Sequence, residues 1–339
     1  MVTTKLQKNL YRILTSSKGR WEMKYKIFII EPRTPFHIGI KEGNLEKSLH
    51  YVPSDTLFSA FCNVYRLVYG RDELENLLEK FLRDNPPFIL SSAFPCVDGK
   101  PLFPMPKSTN QKKLKILDEE QKILKRIEFV DETIFRKILT GEDIEIKREN
   151  IIQDRVISTI TGKDQIWIEV DRPRVTIDRK ASSSEIFYFG ETVFLDSLHF
   201  LIDVRDKNIE NRVETVFRVL GDEGIGGDRS CGRGLFSVVK LDEIEFNEVE
   251  TEWYVTLSMI YPREGEIEHL KGGYFELVER GGWVYSPEEK QKRKKFVRMI
   301  KEGSVFKGKV IGKMVEIARI KYPIYRYGFG LTLPIRVES

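Results

Sequence analysis

Two amphipathic helices, each set between strand-like apolar runs, constrain the fold of this chain more than any other feature. The first is read over 53–70 (PSDTLFSAFCNVYRLVYG). Ser54 is a natural N-cap there, Leu57, Phe58, Phe61, Cys62, Tyr65, Val68 and Tyr69 recur at helical spacing, and Gly70 stands at the expected stop. The second is read over about 208–220, with Ile209, Val213, Val216, Phe217 and Leu220 on one face and Gly221 as its stop. Strands at 26–31 (KIFIIE, ended by Pro32) and 88–93 (FILSSA) bracket the first helix. Leu198, Phe200, Ile202 and Val204 alternate with His199, Leu201 and Asp203, giving a half-buried strand before the second helix. LFSVVKL at 235–241 closes the set.

With 94–190 set aside, the order is strand, helix, strand, strand, helix, strand. That is the ferredoxin-like βαββαβ arrangement, also the topology of RNA-recognition-motif domains. The stretch 94–190 is then a long insertion, and an excursion of that length in a compact domain is usually functional. It opens with the proline-rich FPCVDGKPLFPMPK, continues with a charged helical segment (LDEEQKILKRI) and a short helix begun by Asp131, and ends at 171–189 in a hairpin (DRPRVTIDRKASSSEIFYF). In the first arm of that hairpin Arg172, Arg174, Thr176 and Asp178 share one face and Val175 and Ile177 the other. From 252 a second alternating system begins (Trp253, Val255, Leu257, Met259, Tyr261), followed by a hairpin turning at Gly281-Gly282 between YFELVER and WVYS. Within the lysine-rich 288–301, the lysines at 290–295 read as a solvated helix face, with a dedicated RNA site as the alternative, and the chain runs out in YRYGFGLTLPI. The boundary falls near 248, giving a first domain over 1–248 with its insertion and a second over 249–339.

The 56 basic side chains outnumber the 52 acidic ones by only four, so nucleic acid, if bound, must meet locally clustered charge. The loop 221–234 (GDEGIGGDRSCGRG) supplies such a cluster, with six glycines interleaved with Arg229, Ser230 and Arg233. Glycine lets the backbone take positive φ and lets a ligand approach its N–H groups, while arginine offers forked donors to phosphate. Two nucleotide motifs fail here. A P-loop needs lysine where Gly227 sits, and a GxGxxG run from Gly224 through Gly226 meets Arg229 in place of its third glycine. The alternative is a flexible helix-to-strand connection.

No catalytic constellation emerges. His37, in PRTPFHIG, and His50, just before the first helix, could serve as general acid or base in an RNA-cleaving relative, against the plainer reading of packed histidines. HD, GGDD and GxSxG patterns are absent. Cys62, Cys96 and Cys231 stand too far apart for a CxxC pair, so neither a zinc site nor any other metal or cofactor is expected. No apolar run approaches the roughly 18 residues of a membrane span, and the first 24 residues lack the apolar core of a secretory signal, so a cytoplasmic protein is expected. Arg172, Arg174 and Arg179 could form a basic finger along an RNA backbone, or a charged edge that discourages strand association.

Taken in order, PFHIG, PSDTLFSA, FPMPK, RPRVTIDR with IFYF, GIGGDRSCGRG, the GGW turn and YRYGFGLTLP resemble the RAMP superfamily of CRISPR proteins. Within it they are most similar to the subunits that cap the 5′ tag of the guide RNA in type III-A (Csm) effector complexes. The resemblance implies an α+β protein of two tandem ferredoxin-like domains, the second degenerate, with a thumb-like insertion in the first. It implies no catalytic activity. The partners implied are the CRISPR RNA through its 5′ tag, the large polymerase/cyclase-like Csm subunit and a neighbouring backbone RAMP subunit. Tag contacts fall to Gly224, Gly226, Gly227, Arg229, Ser230, Gly232, Arg233 and Gly234, with His37, Gly39 and Ser54 as further candidates. Arg172, Arg174 and Arg179 take the thumb role. A RAMP endoribonuclease acting through His37 or His50 and the tag-binding subunit of a type III-B complex are the alternatives.

Overall fold

The first strand, β1 (Glu22–Pro32), is flanked on one side by β8 (Leu198–Val204) and on the other by β9 (Phe236–Asn247), both antiparallel to it. A computed structural model describes residues 22–39, 45–108, 114–116, 121–178, 183–284 and 292–337. Strand β8 in turn pairs with β2 (Phe88–Leu90) and, further along, with β3 (Phe94–Val97). These two short strands therefore share one edge, interrupted at Ser91-Ser92. The resulting order, last–first–third–second, is the one expected of a βαββαβ unit.

Its helices are α1 (Ser54–Tyr69) and α4 (Glu210–Glu223), which lie against one face of the sheet. Phe61 and Phe217 meet at 5.2 Å between ring centroids, and Phe217 sits 4.7 Å from Phe200 and 5.3 Å from Phe28. Helix α4 runs through Gly221 to Glu223, three residues past Leu220, and glycine at 221 answers to packing, since a Cβ there would collide with the Phe236 carbonyl of β9. A second helix, α2 (Arg71–Leu82), follows α1 directly and lies outside the sequence expectation. Its signal, Leu74, Leu77, Leu78 and Phe81 at 3–4-residue spacing, stands among charged residues, and Leu77 and Phe81 are the ones it buries.

Most of the insertion is not a thumb. Strand β4 (Lys100–Pro104), β5 (Phe129–Asp131) and the short strands Val156–Ile157 and Ile151–Ile152 extend the main sheet beyond β3. The expected charged helix is a 3-10 segment over Gln121–Arg126, whereas α3 (Glu132–Thr140) begins as read, with the Asp131 carboxylate accepting from the Ile134 N–H at 2.9 Å. Phe103 of β4 and Phe135 of α3 stack at 4.6 Å and cover the face of β8 opposite the two helices, with His199 5.1 Å from Phe103. Strand β8 is thereby buried on both faces, which corrects the half-buried expectation. Burial lowers the His199 pKa to about 4, so its Nε2–H, as a neutral ring, donates to the Leu102 carbonyl at 2.7 Å. Leu114–Ile116 pairs in parallel with Ile144–Ile146 as a separate small sheet, and the insertion closes in a two-stranded hairpin, β6 (Trp167–Asp178) and β7 (Ser183–Phe194), in register from Trp167↔Phe194 to Asp178↔Ser183.

Beyond residue 250 the described residues form three small sheets. Strand β10 (Trp253–Thr256) lies between β13 (Val305–Lys307) and β16 (Thr332–Pro334), β11 (Leu277–Arg280) pairs with β12 (Val297–Ile300), and β14 (Val315–Arg319) pairs with β15 (Pro323–Arg326). The Gly281-Gly282 turn thus does not return YFELVER onto WVYS; Trp283 makes an isolated bridge to Arg293. Of the lysine-rich segment, 292–300 is extended rather than helical, and 285–291 lie outside the described residues. Among the described residues this region contains no α-helix, so a second βαββαβ unit is not seen. It packs on α1 as one core with the first region: Tyr327 stacks on Phe58 at 4.6 Å, and its hydroxyl accepts from the Leu90 N–H at 2.9 Å.

Candidate nucleic-acid interface

The glycine loop does not swing free. The Gly227 N–H donates to the His37 carbonyl at 2.8 Å and the Gly234 N–H to the Pro35 carbonyl at 2.9 Å. The Arg33 N–H and Leu235 carbonyl bond at 2.8 Å, and Arg33 Nη2 donates to the Gly221 carbonyl and to Asp222. Three backbone hydrogen bonds and the Arg33 side chain therefore hang the loop from the segment that follows β1. Gly226 has φ +90°, and a Cβ there would strike the His37 carbonyl; one at Gly227 would come within 2.7 Å of the His37 ring. The crowding that demands glycine comes from the protein itself.

His37 is buried beneath this contact. Its Nδ1 lies 2.6 Å from the Gly190 carbonyl, and its ring sits 4.1 Å from the ring of Phe189 on β7. The Arg174 guanidinium lies over the Phe189 ring, 4.4 Å from its centroid, and forms an ion pair with Asp228 of the loop. Beside it the fully buried Glu191 carboxylate accepts from Arg233 Nε at 2.7 Å and from Arg172 Nη2 at 3.1 Å. Loop, His37 segment and hairpin root are thus locked by two acid–base clamps and a tilted ring contact. Phe189, Glu191 and Asp228 make these joints, and the sequence reading missed their roles. An acid inside a glycine-arginine loop was the available signal for Asp228.

Outside the clamps the loop turns over in a 3-10 segment, Arg229–Cys231, with Ser230 and Cys231 exposed. A Cβ at Gly232 would meet nothing within 4 Å, so this rim, from Arg229 to Gly232, is where another molecule can approach. The expected contact residues of the loop, the His37 segment and the hairpin are brought together, but His37, Gly224 and Gly234 are buried, and Arg172, Arg174 and Arg233 face carboxylates. Gly39 lies nearby and its carbonyl stands 3.5 Å from Arg280 Nη1. Arg179 is outside the described residues.

Ser54 is a correction. Pro53 occupies the N-cap position of α1, and the Ser54 hydroxyl turns inward to accept from the Met259 N–H at 3.0 Å, with no surface exposed to a phosphate. His50 is also buried. It stacks on Trp167 at 4.6 Å, with Nε2 2.9 Å from Glu169 and Nδ1 3.3 Å from Arg155. The next residue of α1, Asp55, is fully buried and accepts from two arginines of the C-terminal region. Arg280 is bidentate at 3.0 Å on each oxygen, and Arg326 reaches the same carboxylate. Burial alone would raise the Asp55 pKa, but the two guanidiniums outweigh it and hold the carboxyl well below the usual range. The three cysteines are free, no cluster of three acidic, His or Cys residues suited to a metal occurs among the described residues, and no helix among them is long and apolar enough to cross a membrane.

A sequence model of the RAMP superfamily matches residues 29–237, and that of the CRISPR Csm4 C-terminal domain matches 249–335. Among curated relatives, the CRISPR system Cms protein Csm4 of Methanocaldococcus jannaschii is 26% identical over 91% of this chain and 97% of its own length. The protein of the same name from Thermococcus onnurineus is 28% identical over 84% and 91%. Among solved structures, a chain of the Csm3–Csm4 subcomplex of the type III-A CRISPR-Cas interference complex superposes with a TM-score of 0.65 at 20% identity, covering 92% of this chain and 99% of that one. A chain of the Csm1–Csm4 cassette in complex with cA4 gives 0.61 at 20% identity, covering 94% and 100%. At that identity the superpositions speak for the fold.

Proposed function

The chain belongs to the RAMP superfamily, and we propose that it is a non-catalytic guide-RNA-binding subunit of a type III-A (Csm) interference complex. It holds the repeat-derived 5′ tag of the CRISPR RNA, docks the large Csm1-type subunit and adjoins a Csm3-type backbone subunit. The partners follow from relatives named Csm4, two of whose solved assemblies pair Csm4 with Csm1 and with Csm3. The observation that carries the RNA role is the outward rim Arg229–Gly232 beside the root of the β6–β7 hairpin, on a loop whose remaining glycines are spent on the protein's own packing.

Three finer readings accompany this. The C-terminal region is a degenerate partner of the first βαββαβ unit, the division between the two domains falls near 248, and the protein works in the cytoplasm. The non-catalytic reading is supported by the burial of His37 and His50, whose Nδ1 atoms lie 2.6 Å from the Gly190 carbonyl and 3.3 Å from Arg155. Ser54, fully buried with its hydroxyl taken by the Met259 N–H, has no place among the tag contacts.

The test is tag-RNA binding by the assembled complex. Arg229→Ala, and Arg229→Ala combined with Arg233→Ala, should weaken it and reduce the salt slope by about 0.7 per lost phosphate contact. Unchanged affinity and slope in both variants would remove the rim from the RNA path. Incubation with repeat RNA forms the second arm: metal-independent cleavage abolished by His37→Ala would make the chain an endoribonuclease instead.

A further inference from the structure

A cavity of about 580 Å³ opens at the foot of the β6–β7 hairpin, away from the glycine loop's own contacts. It is walled by β4 and β5, by the 3-10 segment Gln121–Arg126, by the turn at 153–155 and by Lys301-Glu302 of the C-terminal region. Five cations line it: Lys107, Lys125, Arg126, Arg155 and Lys301. Their compensation is incomplete. Lys107 and Lys301 share one carboxylate, Glu276, at 2.8 and 3.3 Å, and Arg155 pairs with Glu128 at 2.8 Å. Lys125 and Arg126 have no ion pair among the described residues and are exposed.

Of the lining acids, Asp154 is taken by Arg148 at 2.8 Å. Glu302 is buried and held by the Tyr51 hydroxyl at 3.0 Å and by Ser92 Oγ; burial pushes its carboxyl up, against the pull of those hydrogen bonds. Gln153 and Asp154 both take positive φ, 53° and 55°, a cost that non-glycine residues accept where the surroundings fix them. The Gln153 amide fixes them here: it receives the Ile166 N–H at 2.8 Å and donates to the Trp167 carbonyl at 2.9 Å, joining the cavity wall to the first residue of β6.

We propose that this cavity is a phosphate-binding site for a single nucleotide, distinct from the tag-binding rim. Cations arriving from separate segments, two of them arginines with forked donors, suit a group with several charged oxygens rather than one carboxylate. The volume lies within the range of about 300–1,000 Å³ typical of small-ligand sites and accommodates one nucleotide. The phosphate has two sources, a nucleotide of a bound RNA strand or a free nucleotide. RNA as the source rests on the RNA-binding reading above; the phosphate chemistry does not.

The test uses the full chain with Lys125→Glu and Arg126→Glu together, and Arg126→Gln alone as a milder variant whose exposed site leaves the fold intact. Fluorescence anisotropy with a short single-stranded RNA and calorimetry with AMP are the readouts. A loss of RNA affinity of tenfold or more in the double variant, with a salt slope reduced by about 0.7 to 1.4 for one or two contacts, supports the site with RNA as source. Loss of AMP binding with RNA affinity unchanged supports it with a free nucleotide as source. RNA and AMP binding both equal to wild type in the double variant overturns the site. If Arg229→Ala weakens RNA binding in that same experiment, the tag reading stands while this inference falls.

Discussion

Replacing Asp55 with Asn removes the charge that joins α1 to the C-terminal strands. The carboxylate is fully buried, and Arg280 and Arg326 both close on it, with 10% and 7% of their side chains exposed. Asn would leave two guanidiniums in a poorly hydrated site, beside Lys294, whose pKa burial and the Arg326 charge already lower to about 8. Losing one partner of a buried ion pair costs about 3–5 kcal/mol. With an unfolding entropy of about 2.1 cal/mol/K per residue, a 339-residue chain unfolding as one unit changes by roughly 0.7 kcal/mol per degree, so Tm should fall by about 4–7 °C. Thermal unfolding followed by circular dichroism at pH 7 measures it. The pH arm has a fixed sign: a carboxyl depressed in the native state stabilises above the ordinary aspartate value of about 3.9 and ceases to do so as pH falls toward its native pKa. The gap between wild type and Asp55→Asn should be full at pH 7 and shrink below about pH 4. Adding Arg326→Met should recover part of the loss, since one orphaned cation goes with it. A Tm change under 1 °C at pH 7 would refute the view that this carboxylate compensates both arginines.

Gly226→Ala should cost about 1–3 kcal/mol through its positive φ and the collision with the His37 carbonyl, lowering Tm by roughly 1.5–4 °C and weakening tag-RNA binding. Gly232→Ala, with positive φ but open space around it, isolates the φ penalty, and equal effects from the two would show that the close approach is unimportant. Glu191→Gln should destabilise by about 1–3 kcal/mol, discounted because Arg172 is nearly half exposed. The same change should strengthen RNA binding at low salt and steepen its salt dependence, since two guanidiniums lose a competing carboxylate; weaker binding in filter assays would assign Glu191 a positioning role instead.

The strand and helix elements of the first region were legible because their signals are local. Helix spacing in α1, alternation in β8 and the apolar run of β1 each report burial of a face, and their succession along the chain is that of a βαββαβ unit. What escaped depends on contacts distant in sequence. Nothing near residue 200 says that Phe103 and Phe135 will cover the second face of β8, so the strand read as half-buried. Ser54 had the composition of a cap, yet Met259, two hundred residues away, takes its hydroxyl. The lysine-rich 292–300 read as a helix because charge spacing alone does not distinguish a solvated helix from an edge strand, and pairing with Leu277–Arg280 decided it. The Gly281-Gly282 turn failed for the same reason: a turn signal does not name the strand that returns.

The glycine loop carries the same lesson into the site. Composition alone gave six glycines and two arginines one common purpose, the approach of a phosphate backbone. The geometry divides them. Gly221, Gly224, Gly226, Gly227 and Gly234 each face backbone or ring atoms of this chain at distances no side chain tolerates, and Gly232 alone of the six faces open space. Arg233 belongs to the buried Glu191, while Arg229 stands at the head of the outward turn. Substitutions at the inner glycines should therefore disturb RNA binding only as far as they displace the rim, and their effects should track loss of stability. Substitutions between Arg229 and Gly232 should change RNA binding with little change in Tm. If both groups moved affinity and Tm in the same proportion, the loop would act on RNA only through its fold, and the contact surface would lie elsewhere.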